Sequence, residues 1–187
     1  MLTIIIPCFN PDFKLLDTLR SLDEQSHSLF KIILVDDCST NLFFSDMAFS
    51  ENILVYRAPH NVGPGVARNI GVQHTDTKYL MFLDSDDLLH KNCVSKMLAT
   101  IDRLDVDAVG CGYKKFQDSR PSNRPDKAAT PCQISRINFL SKRGFAPWGV
   151  IFKTDFIINF PFSKLRNAED VFFSVSYLHA MKHIYYL

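Results

Sequence analysis

Along the first half of the chain, short unbroken apolar runs alternate with segments whose apolar residues recur at helical spacing. The runs cover residues 3–6, 30–35, 53–57 and 79–83. Each has the length and the Ile, Val, Leu and Phe content of a strand buried on both faces. After the first run, Leu15, Leu16, Leu19 and Leu22 carry the spacing of an amphipathic helix, and Asn10-Pro11 reads as its cap and first helical residue. Residues 63–75 read as a second helix, with Ala67, Ile70 and His74 on one side. Val94, Met97, Leu98, Ile101 and Leu104 mark a third. Continuous apolar strands alternating with helices predict an α/β fold of Rossmann-like kind: a mostly parallel central sheet with helices on both faces. Ligands of such sheets sit outside the carboxyl ends of the strands. Here that edge carries Pro7 to Asn10, Asp36-Asp37, and Asp84 to Asp87.

The second half is less regular. Residues 108–116 and 148–153 read as strands, and residues 134–143 as a helix. A last helix over residues 170–181 places Phe172, Val175 and Leu178 on one face. Residues 117–131, rich in Pro, Ser, Asp, Arg and Lys, read as a mobile loop, poorly ordered without ligand. Another strand begins at Ile184 just as the chain stops, which reads as a domain cut from a longer protein and truncated at its C-terminus. At 187 residues the chain is expected to be one domain.

Composition narrows the function classes. Apolar residues make up 47% and charged residues 22%, the balance of an ordinary globular protein. A net charge of +1, with no basic stripe, leaves out the electrostatic footprint of a nucleic-acid binder. Five cysteines, an odd number without a C-x-x-C pair, argue against a disulfide framework or a zinc site and for reduced thiols in the cytoplasm. No apolar run is long enough to span a membrane, and the first residues lack the pattern of a signal peptide.

Three stretches carry candidate chemistry. Asp84-Ser85-Asp86-Asp87 crowds three carboxylates at a strand end, where like charges repel unless a cation neutralises them. Oxygen ligands suit a hard ion, Mn²⁺ or Mg²⁺, shared with substrate phosphates. The bland reading is a solvated turn with an acidic helix cap. Asp36-Asp37 at the end of the second run offers a carboxylate to a base N–H or a ribose hydroxyl, or forms a plain turn. Asn61 to Gly71 resembles a glycine-rich dinucleotide loop, but the third glycine of G-x-G-x-x-G would fall at Arg68, so that fingerprint fails. Arg68 could instead reach a base or phosphate, or pair with an aspartate on the surface. Trp148 offers a ring to a sugar face, or fills core.

Taken in order, Ile-Ile-Ile-Pro7-Cys-Phe-Asn10, Val-Asp-Asp37-Cys-Ser, Asn-Val-Gly-Pro-Gly-Val-Ala-Arg68-Asn-Ile-Gly and Phe-Leu-Asp84-Ser-Asp86-Asp87 resemble the family 2 glycosyltransferases of the GT-A fold, an inverting group. The resemblance covers about residues 2–90 closely and continues more loosely through Trp148 to Asn167-Ala-Glu169-Asp170. It implies a nucleotide-sugar-binding half over about residues 1–90 and an acceptor-side half over about residues 91–187. It implies that Pro7, Asn10 and Asp37 line the nucleobase and ribose pocket, and that Arg68 touches the nucleotide. Asp84, Asp86 and Asp87 match the D-x-D region, with Asp86 the favoured bridge to ribose and metal. Asp170, next to Glu169, matches the catalytic base. Cys38 stands where many relatives carry glycine. The expected donor is a nucleoside-diphosphate sugar, a UDP-sugar first. The expected acceptor is a carbohydrate or lipid-linked hydroxyl, reached at the inner face of the membrane through a missing C-terminal region. A sugar-phosphate nucleotidyltransferase and a non-catalytic nucleotide-sugar-binding fragment are the competing readings. Glu169-Asp170 alone would also serve as helix N-terminal charge, and that position should favour the ionised carboxylate of Asp170.

Overall fold

A computed structural model describes residues 1–41, 43–44, 48–113, 132–165, 168–181 and 183–187. The loop expected over residues 117–131 and Asn167 lie outside the described residues. Eight strands join in one sheet, in the order β3-β2-β1-β4-β7-β5-β8-β6. Its first half consists of β1 (Leu2–Cys8), β2 (Phe30–Asp36), β3 (Ile53–Arg57) and β4 (Tyr79–Phe82), all parallel. These are the four apolar runs of the sequence, but only β1, β2 and β4 are buried on both faces as expected; β3 is an edge strand, and its Leu54 and Val55 are exposed. The second half is mixed. β7 (Val150–Lys153) runs antiparallel to both β4 and β5 (Ala108–Gly110), and β8 (Ile184–Tyr186) is parallel to β5 and antiparallel to β6 (Cys132–Gln133).

Alternation along the central strands feeds two cores. Leu2, Ile4, Ile6 and Cys8 of β1 join Leu15, Leu19 and Leu22 of α1 (Phe13–Asp23) and Val94, Met97 and Ile101 of α3 (Cys93–Leu104) on one face. Ile5 of β1 points to the other face. There it meets Ala67 of α2 (Pro64–Gln73), Phe139 of α4 (Arg136–Arg143), Ile157 of α5 (Thr154–Ile157), and Phe173 and Tyr177 of α6 (Glu169–Ala180). No helix among the described residues is long and apolar enough to cross a membrane.

Three local expectations change. The first helix starts at Phe13, where Asp12 caps it by accepting from the Lys14 amide at 2.9 Å. Asn10 has φ 47° and turns its side chain to a different loop. The strand expected from residue 108 ends at Gly110. On α6 the buried stripe is Phe173, Ser174, Tyr177 and Leu178, while Phe172 and Val175 are exposed. Apolar residues lie on both sides of that helix, so spacing alone could not select the inner face. Phe173 decides it by stacking on Phe162 at 3.9 Å between ring centroids.

Helix α2 lies directly on β1. A Cβ added at Gly71 would stand 2.3 Å from Ile5 Cγ2. Ile5 is β-branched, fully buried and fixed in a central strand, so it cannot swing away. Gly71→Ala should therefore lower stability. The helix-propensity gain of about 1 kcal/mol is smaller than an overpacking cost of about 1–3 kcal/mol. The midpoint of urea unfolding should fall, and a midpoint at or above the parent's would contradict this packing.

Candidate active site

The carboxyl ends of β1 and β2 are tied to each other. The Asn10 amide donates to Ser39 Oγ at 2.8 Å, and Asn10 Oδ1 accepts from the Thr40 amide at 2.7 Å. Ser39 in turn donates its amide to Asp36 Oδ1 at 2.8 Å. Arg57, at the end of β3, donates to Asp36 Oδ2 and to the Ser39 carbonyl. Asp36 is thus consumed inside the protein. Pro7 is half-buried beside it, in register with Val35.

Asp37 holds the entrance to α2. Its carboxylate is buried and accepts the amides of Val62 at 2.6 Å and Gly63 at 2.9 Å. Gly63 (φ 88°) needs the conformational freedom of glycine, and Pro64 then opens the helix. The loop that resembles a dinucleotide fingerprint is therefore fastened by a side chain from the neighbouring strand.

Arg68, one turn into α2, is the junction of the site. Only 5% of its side chain is exposed. One terminal nitrogen donates to Asp84 Oδ1 at 2.8 Å and the other to Asp170 Oδ1 at 3.0 Å. The guanidinium lies 5.3 Å from the centre of the Phe162 ring, and its Nε has no hydrogen-bond partner. Asp84 leaves the end of β4, and Asp170 lies in the first turn of α6. A single buried cation thus brings together two acids far apart in sequence, a charge-assisted arrangement suited to fixing geometry. Glu169 is buried, with its Cγ only 2.9 Å from where a Cβ on Gly65 would be.

Burial raises the Asp170 carboxyl to about 6; Arg68 pulls it down, and Glu169 and Asp84 push it up. Desolvation, the largest effect here, moves the group up from the ordinary aspartate range, yet near 6 it is still mostly ionised at neutral pH, the form expected at a helix N-terminus. Asp87 is likewise raised to about 6, by burial first and then by Asp84 and Asp86. Asp86 is exposed. The turn that carries them closes with the Asp87 amide on the Asp84 carbonyl, and Thr18 of α1 donates to the Ser85 carbonyl at 3.0 Å. Among the described residues, no three His, Cys, Asp or Glu side chains stand ready as a metal set. A cation here would need oxygens from a ligand as well, which is how Mg²⁺ is commonly held.

The structure gathers Asp84, Arg68, Glu169 and Asp170 at one place, with Asp86 and Asp87 on the adjoining turn. Pro7, Asn10 and Asp37 stand on the neighbouring strand ends. Three parts of this framework were not foreseen: Arg57 on Asp36, Thr18 on the aspartate turn, and Phe162 under Arg68. These contacts are long-range and leave no periodicity in the sequence. Trp148 is half-buried, edge-on to Tyr113 at 5.0 Å, and bridges to Phe82 through its backbone.

The glycosyl transferase family 2 model matches residues 3–167. An uncharacterised glycosyltransferase of Haemophilus influenzae is 34% identical over 103 residues, which is 55% of this chain and 35% of that protein. The poly(ribitol-phosphate) beta-N-acetylglucosaminyltransferase TarS of Staphylococcus aureus is 26% identical, over 95% of this chain and 32% of its own length. The chain thus spans about a third of the length of these relatives. The structure of TarS residues 1–349 with UDP-GlcNAc aligns with TM-score 0.82 at 24% identity, over all of this chain and 55% of that one. The mannosyltransferase PcManGT of Pyrobaculum calidifontis, in complex with GDP-Man and Mn²⁺, aligns with TM-score 0.70 at 16% identity, covering 98% of this chain and 53% of that one. The fold is the Rossmann-like GT-A fold of these enzymes.

Cys38 adopts φ 62°, a left-handed conformation that strains a residue with a Cβ. Cys38→Gly should relieve a left-handed penalty of about 1–2 kcal/mol, which exceeds the entropic cost of glycine of about 0.5–1 kcal/mol, and so stabilise the protein. Thermal unfolding should shift upward. A lower melting temperature would mean that the Cys38 sulfur, 3.9 Å from Arg57, matters more than the backbone.

Proposed function

The chain belongs to glycosyl transferase family 2, and we propose that it moves a sugar from a nucleoside-diphosphate sugar to an acceptor hydroxyl with inversion. A UDP-sugar is the proposed donor, in keeping with the UDP-GlcNAc complex of the TarS neighbour. The observation that carries the reading is the Arg68 bridge, which sets a candidate base, Asp170, beside the aspartate turn at the carboxyl edge of the sheet. Family membership sets aside the nucleotidyltransferase reading.

Nucleobase and ribose are assigned to the strand ends that carry Pro7, Asn10 and Asp37. Asp37 serves that site by holding the Val62–Gly63 backbone in place. Asp86 and Asp87, with Asp84 behind them, fit a divalent cation such as Mn²⁺ or Mg²⁺. Burial first and then their crowding hold the Asp87 carboxyl up, and positive charge would relieve the crowding. Such a cation, when bound, neutralises charge that develops on a diphosphate leaving group. Arg68 pairs with Asp84 next to that cluster and holds Asp170 in place. Asp170 accepts the proton of the acceptor hydroxyl as that oxygen attacks the anomeric carbon from the side opposite the leaving group. Glu169, packed against Gly65, fixes the start of α6. A carbohydrate or lipid-linked acceptor, met at the cytoplasmic face of a membrane, completes the proposal.

Isothermal calorimetry should find UDP bound more tightly with Mn²⁺ than with EDTA. Equal affinity in both would remove the metal from the scheme.

Asp170→Asn keeps the shape of the side chain and removes the base. Transfer should fall by on the order of 10²–10⁴-fold with donor binding nearly unchanged. The parent's kcat/KM should drop as pH falls through about 6, because only the ionised Asp170 accepts a proton. With Mn²⁺ saturating, so that Asp87 stays ionised, that acid limb should be absent from the residual activity of Asp170→Asn. A variant that transfers sugar at the parent rate would exclude Asp170 as base.

A further inference from the structure

Two of the five thiols face each other. Cys93 opens α3 and Cys111 follows β5, and their sulfurs are 3.8 Å apart. Both are half-buried at the margin of the core that α1 and α3 share. Sulfurs in contact meet the first requirement for a bridge, proximity. A sulfur shift of roughly 2 Å brings them to bonding distance, within reach of side-chain rotation. The remaining cysteines are placed otherwise. Cys8 is buried, its thiol pushed far up by burial and by Asp36, which makes it a poor nucleophile. Cys38 leans on Arg57, and Cys132 is exposed beside the Tyr186 carbonyl.

The position of the pair gives it meaning. Residues 83–92, which carry Asp84, Asp86 and Asp87, leave the sheet at Phe82 and re-enter regular structure at Cys93. At the first end, the Gly149 amide donates to the Phe82 carbonyl at 3.4 Å. The Gly149 carbonyl accepts the Cys111 amide at 3.0 Å. A Cys93–Cys111 bond would therefore connect the far end of the aspartate loop to the strand pair that already holds its near end. The loop would become a closed ring through Phe82, Gly149, Cys111 and Cys93.

We propose that Cys93 and Cys111 form a redox-active dithiol that a small-molecule disulfide oxidises to an intramolecular bond, closing this ring around the aspartate loop. The thiolate of one cysteine attacks the small disulfide, forms a mixed disulfide and releases one thiol. The second cysteine then attacks the protein sulfur and releases the other. Two protons and two electrons pass from the pair to the oxidant. The far end of the loop is already held by Gln25, which donates to the His90 carbonyl at 3.0 Å, and by Ser21 Oγ, which accepts the Leu89 amide at 3.1 Å; drawing the two sulfurs together pulls Cys93 against these contacts and displaces the turn that must receive a cation and diphosphate. Ring closure thus weakens donor binding, a consequence that rests on the donor site proposed above.

The test treats the purified chain with oxidised glutathione, blocks remaining thiols with iodoacetamide and measures intact and peptide masses. The expected product has lost two of its five thiols and yields a linked peptide joining Cys93 to Cys111. Cys93→Ser and Cys111→Ser should each give a glutathione adduct on the remaining cysteine and no link. Phenylarsine oxide, which bridges adjacent thiols, should bind the parent and neither variant. Five alkylated thiols after oxidation, or a link between other cysteines, would overturn the pairing. Calorimetry then compares UDP with Mn²⁺ on the reduced and oxidised chain. Affinity should fall several-fold on oxidation and return with a phosphine reductant, and the serine variants should not respond. Equal affinity in both forms of the parent would overturn the coupling to the loop. The pairing is read by mass alone, so it stands or falls whether or not UDP binds.

Discussion

The Arg68 guanidinium, held between Asp84 and Asp170, joins parts of the chain that no secondary-structure element connects. Removing a guanidinium from water is expensive, and the cost is offset only where its partners are well placed. Here one partner ends a central strand and the other begins α6, so their relative position is a condition for keeping the arginine buried. Arg68 also sits on the helix whose Gly71 rests on Ile5, at the centre of the sheet. The position of Asp170 is therefore referred through α2 to the most rigid part of the fold. If either acid were absent, the other would remain beside a buried charge with one partner fewer.

The opposite wall is built by a similar economy of side chains. Asn10, Ser39 and Asp36 satisfy one another's loops, and Asp37 satisfies two amides ahead of α2. Buried backbone groups at strand ends must find partners, and short polar side chains supply them where the ladder stops. These residues hold the site open by being engaged with the protein, so the sequence motif at β1 and β2 is first a recipe for loop shape.

Much of this was legible. The four parallel strands, the two-sided packing and the polar edge follow from apolar runs and their spacing, because a strand buried on both faces has few alternatives. The aspartate turn was visible as crowded charge. What stayed hidden depended on distant partners. The start of α1 moved from Asn10-Pro11 to Phe13 because Asn10 was needed by the loop after β2. The inner face of α6 was misread because Phe172 and Val175 are as apolar as Phe173 and Tyr177, and only the stack on Phe162 separates them. For Arg68 the sequence leaves open a nucleotide contact or a surface pair with an aspartate; it does pair with acids, Asp84 and Asp170, but buried and with two at once. Nothing in the spacing of an isolated arginine encodes two acids brought in from other elements.

Burial and charge act on Asp170 in opposite directions, and the balance suits its proposed role. A carboxylate fully stabilised by an arginine and a helix N-terminus would be a weak base. A carboxyl buried without a cation would stay protonated near neutrality. Desolvation dominates here, Arg68 moderates it, and the group settles near 6. At neutral pH it is ionised, yet it is more basic than an exposed aspartate. The same logic applies to Asp87, raised first by burial and then by Asp84 and Asp86. Of the two raised acids, the one paired with a fixed protein cation is suited to proton transfer. The other is suited to an exchangeable cation, because the repulsion that raises it disappears when positive charge arrives.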